Sequence, residues 1–162
     1  MARAIRIARR TALVLYALAL VCFALALWMQ PAAAYDSVAR ARIWAGENHC
    51  PNCDLTNANL EMQCVKEGDL SGARFDGAKM AYMCMRNAKF LGASFRDADL
   101  TGANLSHSDF SGADFSGAKF SITLMRGADL ANAKGLTQAQ LDNGCGDAET
   151  KVPKGLVVHK CE

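Results

Sequence analysis

ADLTGANLSHSDFSGADFSGAKF, residues 98–120, decides the fold. Leu100, Leu105, Phe110, Phe115 and Phe120 recur at every fifth residue, and Ala98, Ala103, Ser108, Ala113 and Ala118 stand two residues before them. Carried outward, the register gives sixteen large apolar centres without a miss, adding Leu55, Leu60, Val65, Leu70, Phe75, Met80, Met85, Phe90, Phe95, Met125 and Leu130. The small column runs on through Cys53, Ala58, Gly68, Ala73, Ala78, Ala88, Ala93, Thr123 and Ala128, and only Gln63 and Met83 interrupt it. A helix repeats its faces at about 3.6 residues and a strand at about 2, so a period of five is neither. It fits two inward and two outward residues followed by one corner, with the small residue and the centre pointing the same way. The corner is Gly at 72, 77, 92, 102, 112, 117 and 127, as a turn with positive φ favours. One such unit cannot bury its centre alone, so the units must coil and stack.

The strings Ala58-Asn59-Leu60, Ala98-Asp99-Leu100, Ala103-Asn104-Leu105, Ala113-Asp114-Phe115 and Ala128-Asp129-Leu130 resemble the Ala-(Asp/Asn)-Leu-x-x quintets of the pentapeptide-repeat family. The resemblance covers residues 53–132. It implies an all-β solenoid, a right-handed quadrilateral β-helix with four quintets per coil. Sixteen quintets then make four coils, about 19 Å tall at a strand spacing of about 4.8 Å. Residues 20 apart should stack, and the residues that break the pattern agree: Gln63 and Met83 are 20 apart, as are Cys64 and Cys84.

Residues 1–34 read as a secretory signal, with Arg3, Arg6, Arg9 and Arg10, an apolar run over 11–29, and Pro31-Ala32-Ala33-Ala34 as a cleavage site. The same run fits an uncleaved membrane anchor. Cleavage after Ala34 is the reading adopted, and either fate places the repeats in the periplasm, outside the cytoplasm. Without those four arginines the formal charge of +2 becomes −2. Residues 53–132 intersperse eight basic with ten acidic side chains, giving no basic stripe for nucleic acid and no acidic run imitating it.

Six cysteines follow the leader, an even number that favours disulfides in an exported domain. Cys145 and Cys161 flank a 15-residue non-repeat segment with no nearer partner and are expected to pair. Cys64 and Cys84 should lie outward on adjacent coils, within the Cα range of a bridge, yet in-register parallel neighbours hold their Cβ atoms far apart for an unstrained bond. Cys50 and Cys53 complete the set. Their CxxC lacks the βαβ context of a redox motif and the second pair of a zinc site, so a structural role is expected.

An open β-helix needs its ends covered. Residues 35–52 are expected to form an N-terminal cap, with Asp36 and Ser37 opening a short helix, Val38, Ala41, Ile43 and Trp44 on its apolar side, and Gly46 ending it. Residues 133–162 are expected to form the other cap and a tail. Thr137 and Gln140 match a capping box, Leu136 and Leu141 are apolar, Gly144 is the terminator, and Val157 and Val158 fold back, pinned by Cys161.

Chemistry is sparse. His49, His107 and His159 lie in no catalytic string, and there is no nucleophile elbow, P-loop, HExxH or dinucleotide fingerprint. The Asp and Asn residues before the centres are periodic, which marks them as turn and solvation residues. No cofactor and no enzyme activity are expected. The adopted function is a non-catalytic exported scaffold that binds an unidentified protein through one flank, on the corner column Met62, Tyr82, Gly102 and Ile122 with Leu124 beside it. An alternative is a Cu(I) site on the soft residues Met62, Cys64, Met80, Met83, Cys84 and Met85, set against the core-filling role expected of Met80 and Met85. A third reading comes from the resemblance, since some family members protect a type II topoisomerase by imitating DNA. The export signal and balanced charge argue against it.

Overall fold

From His49 onward the backbone pairs with itself in parallel at a separation of 20 residues: His49 with Asp69, Asp54 with Arg74, Asn59 with Lys79, Cys64 with Cys84, and so on to Asp114 with Lys134. The computed structural model describes residues 37–162. The leader at 1–34 and the capping role of Asp36 lie outside the described residues. Among the described residues no helix is long and apolar enough to cross a membrane.

The five-residue period becomes structure through one rule at the corners. All sixteen corner positions from Asn52 to Gly127 have positive φ, and nine of them are not glycine. That conformation costs a non-glycine residue roughly 1–2 kcal/mol, so something must hold it. The corner amides do: Gly72 N–H donates to Leu91 C=O (2.9 Å), Tyr82 to Thr101 (2.8 Å) and Gly102 to Ser121 (2.7 Å), each reaching the next coil. The Asp column adds a second brace. Asp69 Oδ1 accepts from Ser71 N–H at 3.0 Å, and Asp109 and Asp114 do the same for Ser111 and Ser116 at 2.9 Å. A carboxylate one residue before the centre is therefore a turn element.

All sixteen centres are buried, none more than 4% exposed. Stacked at one coil's separation, the phenylalanines form two files. Phe75, Phe95 and Phe115 lie face to face with centroids 4.9 and 5.0 Å apart, and Phe90 and Phe110 repeat this at 5.0 Å. The files meet edge-on, as with Phe90 and Phe95 at 5.7 Å, a favoured aromatic arrangement.

Within the quintets, regular strand appears only where the repeat is irregular: β1 at Cys64–Lys66, β2 at Cys84–Arg86 and β3 at Thr123–Leu124. Elsewhere the residue three past a centre closes a tight turn on that centre's carbonyl, as Ala93 does on Phe90 at 3.1 Å. After Met85 the turn is open. The Ala88 N–H donates instead to Ser108 Oγ (2.9 Å), and the Ser108 hydroxyl donates to Met85 C=O (2.6 Å) from the coil above. Ser108 is only 2% exposed, so its hydroxyl satisfies two backbone groups that water cannot reach. Ser108→Ala would install the commonest residue of that column, yet it is expected to cost about 1–3 kcal/mol by stranding both groups. An unchanged urea midpoint for the variant would show these bonds to be unimportant.

Two short helices flank the ladder. In α1 (Ser37–Trp44) the buried residues are Ala39 and Ile43. This corrects the expected apolar side: Val38 and Trp44 are 65% and 58% exposed. Ala39 and Ile43 are one helical turn apart and so share a face, whereas the Trp44 indole reaches sideways to donate to Asn59 C=O at 3.4 Å. Gly46 ends the helix as expected, with φ 82° and its N–H on Ile43 C=O at 3.0 Å.

The helix α2 (Gln138–Asp142) opens with the capping box of Thr137 and Gln140 and buries Leu141. Gln140 Nε2 also donates to Phe115 C=O (2.9 Å) and Ala118 C=O (2.8 Å), carbonyls that no further regular coil would meet. The helix ends at Asn143, not at Gly144. Gly144 instead opens β4 (Gly144–Cys145), parallel to β3. A Cβ on it would lie 2.7 Å from Thr123 C=O, so glycine is required there by close approach. The tail then returns, with Cys161 N–H on Gly146 C=O at 2.9 Å. Bridges from Asp129 to Lys151 and from Gly146 to Lys160 carry the ladder past residue 132, just as His49 starts it before residue 53.

Candidate functional site

Each side of the solenoid presents two outward columns between its corners, and one side differs in chemistry from the other three. Three columns beginning at Asp54, Asn59 and Asp69 intermix carboxylates with Lys or Arg. Their charges neutralise each other along the stack, as in Arg74–Asp54 (3.4 Å), Lys119–Asp99 (3.6 Å) and Lys151–Asp129 (2.8 Å). In Asp114 the bonds from Ser116 and then the nearby Arg96 and Lys134 hold the carboxyl below its ordinary pKa.

On the fourth side the corresponding column reads Cys64, Cys84, Asn104, Leu124 and Cys145, in register. Two residues further on stand Lys66, Arg86, Ser106 and Arg126, with Lys66 paired to Arg86 in the ladder. No carboxylate occurs in either column, and among the described residues none of Lys66, Arg86 and Arg126 forms an ion pair. This cationic column was not singled out from the sequence. Reading the outward positions at a period of 20, as was done for the cysteines, would have found it.

The corner bordering this side holds Met62, Tyr82, Gly102 and Ile122. Met62, Tyr82 and Ile122 are 76%, 56% and 64% exposed, which is a large apolar presence for three of the four positions in one file. A Cβ on Gly102 would fall 2.5 Å from Tyr82 Cδ1 and Cε1, so the tyrosine ring lies along the column over the glycine. Ile122 and Leu124 border a shallow cleft of about 270 Å³ completed by Asp142, Asn143, Gly144 and Cys145. The four residues proposed from sequence as a partner patch thus lie on one flank, Met62 and Tyr82 toward its lower end and Ile122 with Leu124 at the cleft.

The soft-residue patch does not survive as a cluster. Met80, Met83 and Met85 are fully buried in the core, because the first and last are centres and Met83 occupies the inward small column. Cys64 and Cys84, the candidate bridge whose Cβ spacing counted against it, are both free thiols, Cys64 exposed and Cys84 half-buried. The parallel ladder keeps them side by side without bringing their sulfurs to bonding distance. Burial pushes the Cys64 thiol pKa up and the adjacent Cys84 adds to this, while Lys66 and Arg86 pull it back. The remaining four cysteines form two disulfides, Cys50–Cys53 and Cys145–Cys161, with Cα atoms 5.6 and 4.9 Å apart. His49 lies in the ladder, His107 at a corner, and His159 Nε2 sits 3.1 Å from Asp142 Oδ1 on the tail. Among the described residues no group of three or more His, Cys, Asp or Glu is placed to hold a metal.

Comparison with known proteins gives the frame for this surface. The family model for pentapeptide repeats matches residues 53–92, 93–132 and 108–143, with eight copies. Among solved structures, the chain is similar to HetL, a pentapeptide repeat protein involved in heterocyst differentiation regulation from the cyanobacterium Nostoc sp. strain PCC 7120. The TM-score is 0.53 and the identity 23%, over 63% of this chain and 50% of that one. It is also similar to AT2G44920, a pentapeptide repeat protein from the Arabidopsis thaliana thylakoid lumen, at 33% identity and a TM-score of 0.31 over 57% of each chain. The chain therefore spans about half the length of these relatives, and the HetL likeness bears on fold alone. No curated protein matches the chain. The family match extends over more than half of the 162 residues and coincides with the corner and centre periodicity, so the chain belongs to the pentapeptide repeat family.

Proposed function

We propose that the protein is a non-catalytic scaffold of four coils, closed at each end by a short helix, that binds a protein partner through its cysteine-bearing flank. The observation carrying this reading is the contrast between sides. Three sides neutralise their own charges, whereas the fourth joins exposed Met62, Tyr82 and Ile122 to Lys66, Arg86 and Arg126, cations with no ion pair among the described residues. Its complement is a surface with an apolar centre and a carboxylate rim, since rim charges steer encounter while buried apolar anchors set the lifetime of a complex. A scaffold role also fits the scarcity of catalytic groups, since the described histidines are dispersed and no donor cluster surrounds them. The leader reading places the scaffold in the periplasm, whether cleaved after Ala34 or held by residues 11–29. A DNA-imitating role would need an acidic surface, and the carboxylates here are largely matched by lysine and arginine.

The test is crosslinking and capture from periplasmic extract with the full chain and with the double variant Tyr82→Ser, Ile122→Ser. Both side chains lie outside the core, so the variant should fold within about 0.5 kcal/mol per site of the wild type. Capture of the wild type's partner should fall at least roughly tenfold, because aromatic anchors dominate such interfaces. Equal capture by the two proteins rejects this flank as the interface.

A further inference from the structure

We propose that Cys64 and Cys84 together form a two-coordinate thiolate site for a soft monovalent cation of the Cu(I) class. The two residues are direct cross-coil partners in a parallel ladder, both are unbridged, and both reach the surface. Val65 and Met85 lie immediately beside them, fully buried in the core, so neither strand can slide or roll to change the spacing.

That spacing decides between a disulfide and a metal bridge. Parallel neighbours repeat at about 4.8 Å, and two cysteines adopting the same rotamer would carry that repeat out to their sulfurs. A disulfide needs its sulfurs about 2.05 Å apart and its Cβ atoms about 3.8 Å apart. A metal–thiolate bond is about 2.3 Å long, so a linear sulfur–metal–sulfur unit spans about 4.6 Å. The ladder repeat fits the metal unit and misfits the disulfide, which explains how this pair stays reduced while the other two pairs are bridged.

Ligand number and charge narrow the ion. Thiolates are soft donors, and Zn(II) in a structural site takes four ligands. With two thiolate donors and no third His, Cys, Asp or Glu beside them among the described residues, a linear d10 ion is favoured over a tetrahedral one. On binding, each thiol releases its proton, two sulfur–metal bonds form, and the monovalent ion with two thiolates carries one net negative charge. Lys66 and Arg86 stand two positions along the same strands, paired with each other, and supply the compensating charge. Met80, Met83 and Met85 take no part because they are sealed in the core. The site shares Lys66 and Arg86 with the partner reading but needs none of Tyr82, Ile122 or Leu124, so the cysteine variants test it separately from that reading.

The experiment uses Ag(I), a soft monovalent d10 ion that needs no reductant and so leaves both disulfides intact. Calorimetric titration of the full chain carrying Cys22→Ser should show one equivalent bound, with two protons released per ion and binding that weakens as pH falls. In the same background, Cys64→Ser and Cys84→Ser should each abolish this phase. Lys66→Gln together with Arg86→Gln should weaken it roughly 10–100-fold, the usual effect of removing groups that support a metal site. Uptake unchanged in either single-cysteine variant overturns the proposal. Mass mapping that finds Cys64 and Cys84 joined in the unreduced protein overturns it as well.

Discussion

Replacing Phe95 by alanine is expected to lower stability by about 3–5 kcal/mol, the cost of emptying a buried phenylalanine site. Phe95 is the middle ring of a face-to-face file, 4.9 Å from Phe75 and 5.0 Å from Phe115, and meets Phe90 and Phe110 edge-on at 5.7 and 5.8 Å. The neighbouring rings cannot collapse into the gap, because their backbones are pinned on both sides. Phe95 N–H donates to Asp114 C=O at 2.7 Å, and the next amide contacts repeat this from coil to coil. A site that cannot relax retains its cavity, which places the expected loss toward the upper part of the range. Since domains of this size are marginally stable, such a loss would remove much of the net folding free energy. Urea denaturation with the disulfides intact measures it. A midpoint equal to the wild type would mean that the inward register is not as described.

Loss of the Cys145–Cys161 bridge should have the next largest effect, about 3 kcal/mol in the chain-entropy account of a loop this size. The tail is laddered at Lys151, whose N–H donates to Ala128 C=O at 3.0 Å. Beyond it the ties lie at the surface: the Gln138 side chain on the Val157 backbone at 2.8 and 3.0 Å, His159 Nε2 beside Asp142 at 3.1 Å, Gly146 N–H on His159 C=O at 2.7 Å, and Cys161 N–H on Gly146 C=O at 2.9 Å. Releasing the bridge would loosen β4 from β3 and so uncover Met125, the last but one of the apolar centres. The variant Cys145→Ser, Cys161→Ser should therefore melt earlier and be cut by protease between residues 146 and 160 before the repeats are attacked. Identical melting and identical protease resistance would show that the ladder alone retains the tail.

The interior was legible because it depends on one arithmetic property. Centres from Leu55 to Leu130 recur every five residues, and any fold that buries them all must bring residues 20 apart together once it has four sides. The exterior was less so. Whether Cys64 and Cys84 bridge depends on a difference of about 1 Å between ladder spacing and disulfide geometry, which residue type does not encode. Ser108 passes for a small column residue in the sequence, and its role emerges only when the open turn after Met85 is seen beneath it. In α1, eight residues give two turns, too few for a periodicity to outvote Val38 and Trp44, whose exposure follows from where the helix rests. At the far end the register slips, from Leu124 pairing with Cys145 to Asp129 pairing with Lys151, because α2 interrupts the quintets. A slip of one or two residues in a non-repetitive tail leaves no trace in a repeat pattern.

The 20-residue pairing also means that every outward residue has an address made of two parts, a storey and a side. Inserting or deleting 20 residues changes only the number of storeys and leaves each column continuous. Inserting five leaves every centre pointing inward and every corner turning, and the interior notices it only where a buried bond such as that of Ser108 to Met85 C=O spans the insertion. Yet it rotates everything above the insertion by one side, so that Met62 and Tyr82 would no longer share a flank with Ile122 and Leu124, and Arg126 would leave the file of Lys66 and Arg86. Selection for folding alone would tolerate such quarter-turn slips wherever no buried side-chain bond between coils spans them. An uninterrupted vertical file of like side chains is therefore a record of what the exterior must keep aligned, written in a coordinate to which the core is blind.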